Sequence, residues 1–87
     1  MLPDPCLESL KVLVLVNGNT LLTAPYEAKQ LATLIDSRTQ HPVAEITILR
    51  LFGFVAAKFP PSAYTKDVLA QFCGYSDYAM FCEDQRV

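Results

Sequence analysis

Leu10–Val16 reads LKVLVLV, apolar at every position except Lys11 and rich in valine. A short run of β-branched, apolar residues bounded by turn formers predicts a strand. Its apolarity on both alternating faces implies burial on both sides, or one face on the core and the other on a partner. Asn17-Gly18 follows directly. Both residues tolerate positive φ, so the pair between apolar runs predicts a type I′ hairpin turn with residues 19–23 as the return strand. That register sets Val16 beside Asn19 and Val14 beside Leu21.

The period then changes. Ala28, Leu31, Ala32 and Ile35 fall at i, i+3, i+4 and i+7, with Lys29, Gln30, Thr33 and Asp36 between them, which predicts an amphipathic helix over 25–38. Pro25 suits a first turn and Glu27 suits the positive end of the helix dipole. Residues 44–58 predict a strand region. Ala44, Ile46 and Ile48 alternate with Glu45 and Thr47, leaving one wet face. The alternation fails at Leu49–Leu51, and Gly53 implies a bulge or bend. Pro60-Pro61 is a stop. Beyond it, residues 63–82 predict a helix, or a helix broken at Gly74, capped by Ser62 with Val68, Leu69 and Phe72 inward. Residues 1–9 and 83–87 read as irregular ends.

The order strand, strand, helix, strand region, helix predicts an α+β fold. It would be one domain over 1–87, a small antiparallel sheet with an N-terminal β-hairpin (10–16, 19–23) and helices on one face. The alternative is a βαβ, thioredoxin-like arrangement in which the strands near 10–16 and 45–51 run parallel and 17–24 is a loop. In that setting Ala24-Pro25-Tyr26-Glu27 is similar, in its middle pair only, to the Cys-Pro-Tyr-Cys of glutaredoxin-type redox proteins. Ala24 and Glu27 occupy the two cysteine positions, so dithiol exchange at that junction lacks its attacking thiolate.

Composition sharpens the functional expectation. Of 87 residues, 52% are hydrophobic and 18% charged, against roughly 25% charged in an average domain. So short a chain buries a modest fraction of its surface, so an apolar patch is expected to stay outside or to be covered by a second chain. The net charge is −2 and the basic residues form no run, which argues against nucleic acid as a partner. No apolar stretch approaches the roughly 20 residues a membrane-spanning helix needs. Met1–Pro5 lacks the basic start of a signal peptide. Three cysteines, an odd number, without such a leader predict reduced thiols and a cytoplasmic protein.

Catalytic chemistry finds little to stand on. His41 is the sole histidine and sits in a helix-to-strand loop near Asp36, Ser37 and Glu45, with nothing to fix a nucleophile. Neither a Cys-x-x-C pair nor a glycine-rich phosphate loop is present. No catalytic residue, cofactor or metal ligand is therefore assigned. Tyr64, Tyr75, Tyr78 and Phe81 make an aromatic cluster of the kind found in interface cores, and are the candidate partner surface. The expected function is a non-catalytic protein-interaction module: a small regulator, adaptor or inhibitor that binds another protein and forms a homo-oligomer. The alternative is a small-ligand-binding or degenerate-enzyme domain on a thioredoxin-like scaffold.

Overall fold

The computed structural model describes residues 5–85, and what was expected of Met1–Asp4, Arg86 and Val87 lies outside them. The described residues are all-helical: α1 Pro5–Gly18, α2 Tyr26–Thr39, α3 Glu45–Leu51, α4 Ala63–Phe72 and α5 Tyr78–Asp84, with no strand among them. The α+β expectation and its βαβ, thioredoxin-like alternative are both overturned. The helix expected over 25–38 forms as α2, and the break expected at Gly74 separates α4 from α5.

The hairpin fails because its two signals belong to one helix. Pro5 is the first residue of α1 and Glu8 lies in its first turn, both favoured there. The stretch 5–9, expected irregular, is that turn. Leu10 and Val14, four apart, are fully buried, so packing of one helical face outweighs the strand propensity of the valines. Asn17-Gly18 ends the helix instead of turning a hairpin. The Asn19 N–H donates to the Val16 carbonyl and the Thr20 N–H to the Leu15 carbonyl, each at 3.2 Å, with Asn19 at φ 53°. These two bonds make a Schellman stop.

The strand region 44–58 fails for the same reason. Residues 45–51 form α3, with Glu45 in the first turn and Arg50 in the last, matching the helix dipole. Ile48 is buried, and Leu49, Leu51 and Phe52 pack half-buried against the core. The lost alternation at Leu49–Leu51 was the change of period. Gly53 is a helix stop, not a bulge: at φ 86° its N–H reaches the Arg50 carbonyl, and Phe54 N–H reaches the Leu49 carbonyl at 2.9 Å. Gly74, at φ 93°, repeats this stop after α4 through its own N–H to Gln71 and the Tyr75 N–H to Ala70, both 3.0 Å. Residues 52–62 form an irregular connection.

Helix α4 is the middle of the fold and packs on α1, α2 and α5, while α3 packs on α2. Val68, Leu69, Ala70 and Phe72 from α4 meet Leu10 and Val14 from α1, Ala28, Leu31 and Ile35 from α2, Ile48 from α3 and Phe81 from α5 in one core. Leu22, in the α1–α2 connection, turns inward to join them at φ 49°. Its N–H is held by the Thr20 hydroxyl at 3.0 Å.

Two of the three cysteines are paired. A disulfide joins Cys6 in the first turn of α1 to Cys82 in α5, across a sequence separation of 76. The expectation of three reduced thiols is corrected accordingly. Positions at the two ends of a chain carry no spacing signal for pairing, but the packing of α5 on α1 brings them together.

Candidate functional site

Helix α1 has more apolar surface than the core takes up. Leu10 and Val14 face inward, Leu13 and Leu15 are half-buried, and Val12 and Val16 stand 63% and 68% exposed. Val12 and Val16 are one helical turn apart, so they form a strip along the outer face. Leu21, 83% exposed just past the end of α1, continues it. Val12, Leu15, Val16, Asn19, Thr20 and Leu21 line a shallow groove of about 420 Å³ that contains no charged side chain. Apart from Asn19 and Thr20 at one end, the strip is uncovered hydrocarbon without a formal charge.

The four aromatic residues singled out in the sequence part company. Phe81 is in the core at 1% exposure. Tyr75 packs its ring edge-on to Phe81, centroids 5.1 Å apart, and its hydroxyl donates to Asp84 Oδ2 at 2.7 Å. That bond stabilises the neutral phenol and raises the Tyr75 pKa. Tyr78 is half-buried against the core, with the Lys66 ammonium 5.1 Å from its ring centre. Its N–H donates to Asp67 Oδ1 of α4 at 3.0 Å. These three residues join α5 to α4. Tyr64 lies apart at the start of α4, half exposed, and its hydroxyl donates to the Pro42 carbonyl at 2.9 Å.

Titratable chemistry is sparse. His41 meets the edge of the Tyr64 ring at 6.4 Å and donates its backbone N–H to the Thr39 hydroxyl. Among the described residues, no group of three or more histidine, cysteine or carboxylate side chains could hold a metal ion. Cys73 is a free thiol at the end of α4, and burial pushes its pKa up to about 11, which leaves it a weak nucleophile at neutral pH. Glu27 accepts hydrogen bonds from the Thr20 and Thr23 hydroxyls. The Thr20 hydroxyl holds the carboxyl below its ordinary range against the opposing effect of burial, with smaller help from the Thr23 hydroxyl and the Ala24 and Thr23 backbone.

A second uncovered region is the connection after α3. Phe54 and Val55 are each more than a third exposed and Phe59 is 80% exposed. Sequence reasoning read this stretch as strand, and so did not see it as surface. The outer strip of α1 did have a signal, because LKVLVLV is apolar on more faces than one core can cover. No helix among the described residues is long and apolar enough to cross a membrane. No protein-family model, curated protein or solved structure matches this chain.

Proposed function

We propose that this helical domain is a non-catalytic protein-interaction module, a small regulator, adaptor or inhibitor, whose docking face is the outer strip of α1. The observation that supports the reading is the uncharged run of Val12, Val16 and Leu21, all more than 60% exposed. Monomeric proteins seldom leave contiguous apolar patches uncovered, and such patches mark interaction sites. A second copy of the chain is the first occupant to test, because an uncharged strip can meet its own symmetric image without like-charge repulsion. Nucleic acid is not among the partners proposed, since the basic side chains form no stripe. The cytoplasmic location rested on reduced thiols together with a start unlike a signal peptide. The Cys6–Cys82 bond takes away the first of these, because disulfides persist mainly in oxidising compartments.

Light scattering over a concentration series tests the reading. The wild-type mass rises with concentration, and Val12→Lys combined with Val16→Lys keeps the chain monomeric. Both positions are exposed, so each substitution changes folding stability by no more than about 0.5 kcal/mol and the circular dichroism of the helices stays the same. A wild-type monomer at every concentration, or a double variant that associates as before, would defeat self-association through α1.

A further inference from the structure

The connection 52–62 folds back along α3 and the start of α4 and leaves a cleft of about 510 Å³, a size typical of ligand sites. Leu51, Ala57, Phe59 and Pro61 supply apolar wall, and Arg50 and Lys58 are its charged lining. No carboxylate lines it among the described residues, although the chain has nine carboxylates against seven basic residues. Of the other described cations, Lys11 is engaged with Glu8 and the Phe52 ring, Arg38 with the Asn17 carbonyl and the Phe72 ring, and Lys66 with the Tyr78 ring, while Lys29 stands alone on the outer face of α2, away from the cleft. Arg50 and Lys58 make no ion pair, side-chain hydrogen bond or ring contact among the described residues. The backbone adds a third feature. After Val55 N–H bonds the Leu49 carbonyl, no backbone N–H or carbonyl of residues 56–59 has a hydrogen-bond partner among the described residues. Two unpaired cations, apolar walls and a run of free backbone groups lie together.

We infer that this cleft binds an extended acidic–apolar peptide segment of a partner protein. A carboxylate side chain of the peptide meets Arg50 and Lys58, where a charge-assisted bond is stronger than a neutral one. Its apolar neighbour sits against Leu51, Phe59 and Pro61. The peptide backbone bonds the free groups of residues 56–59, as extended peptides do when they join an unpaired chain segment. The proposal extends the interaction-module reading by naming a partner's chemistry. It uses a different surface from the strip of α1, so the two succeed or fail separately.

Fluorescence anisotropy with the full chain and labelled short peptides tests it. The probe alternates glutamate and valine; one control alternates lysine and valine, and another glutamate and serine. The glutamate–valine peptide is expected to bind, with affinity falling as salt is raised because the contacts are exposed and charged. Arg50→Ala with Lys58→Ala, both on exposed side chains, weakens it about tenfold or more. Phe59→Ser weakens it as well, and Val12→Lys leaves it unchanged. Any of three results overturns the proposal: no binding of the probe up to about 1 mM, equal binding of the lysine–valine peptide, or an affinity indifferent to loss of Arg50 and Lys58.

Discussion

Helices α1 and α2 are consecutive along the chain and equal in length, 14 residues each, and they use their hydrophobic residues differently. In α2 the buried positions are Ala28, Leu31 and Ile35, and the outward positions are Lys29, Gln30, Thr33 and Asp36. Its apolar stripe is about as wide as the core it meets. In α1, Leu10 and Val14 do the same inward work, but Val12 and Val16 face outward where α2 places charge and amide. Past Tyr26, which is 68% exposed at its first position, α2 exposes no large apolar side chain, whereas α1 exposes two. The comparison separates two roles that composition runs together: apolar residues that fold the chain and apolar residues available to a partner.

The comparison breaks first at its inward faces. Leu10 on α1 and Leu31 on α2 are both essentially buried. Each substitution to alanine is expected to cost about 2–5 kcal/mol through lost burial and an unfilled cavity. In a domain of this size that lowers the melting temperature by about 10 °C or more. Val12→Ala, two residues from Leu10, should stay within about 0.5 kcal/mol in the monomer. Thermal melts of the three variants check this at a concentration where no association occurs. Equal losses at Leu10 and Val12 would mean that the outer strip of α1 is part of the fold.

The disulfide sharpens the comparison next, since α1 is tied to α5 by a covalent bond and α2 is not. Closing so long a stretch of chain restricts the unfolded state, an effect typically of about 2–4 kcal/mol. Reduction by a dithiol, or Cys6→Ser with Cys82→Ser, is expected to lower stability by that amount and the melting temperature with it. The fold persists, because Phe81 and the Asp67 bond to the Tyr78 N–H also hold α5. Thiol titration of the denatured protein should find one thiol, Cys73, before reduction and three after. Three thiols without reductant would remove the tie.

What could be read in the sequence follows from the same contrast. Helix α2 was legible because its period was clean and both its faces were written in residue type. Helix α1 was not, because an apolar residue at almost every position fits a strand and a helix equally well, and only tertiary packing decides. Asn17-Gly18, Gly53 and Gly74 were seen as breaks in the chain. That they are helix stops depends on carbonyls three and five residues back, which exist as acceptors only once a helix does. The apolar excess was legible as a quantity, and its place was not. Tyr75, Tyr78 and Phe81 have the composition of a docking surface but bind α5 to α4. The exposed valines lie in the run that read as a buried strand.

The smallest expected effect concerns how α2 begins. The Thr20 and Thr23 hydroxyls hold the ionised Glu27 carboxylate, so its pKa in the folded chain lies below the ordinary value of 4.5. A carboxyl with a depressed folded pKa favours folding fully above its unfolded pKa, and loses that contribution as pH falls through the folded value. The comparison of wild type with Glu27→Gln therefore isolates it from the other carboxylates. Above about pH 5.5, a unit over that ordinary value, the wild type is expected to melt higher than the variant by a constant margin. The margin narrows below pH 4.5 and closes in stronger acid. Thr20→Val should shrink the same margin, because the Thr20 hydroxyl is the main cause of the shift. A margin that stays constant down to low pH would show that Glu27 acts at this helix start by shape and not by charge. The entry to α2 would then be held by Leu22 in the core, much as α1 is held by its buried face.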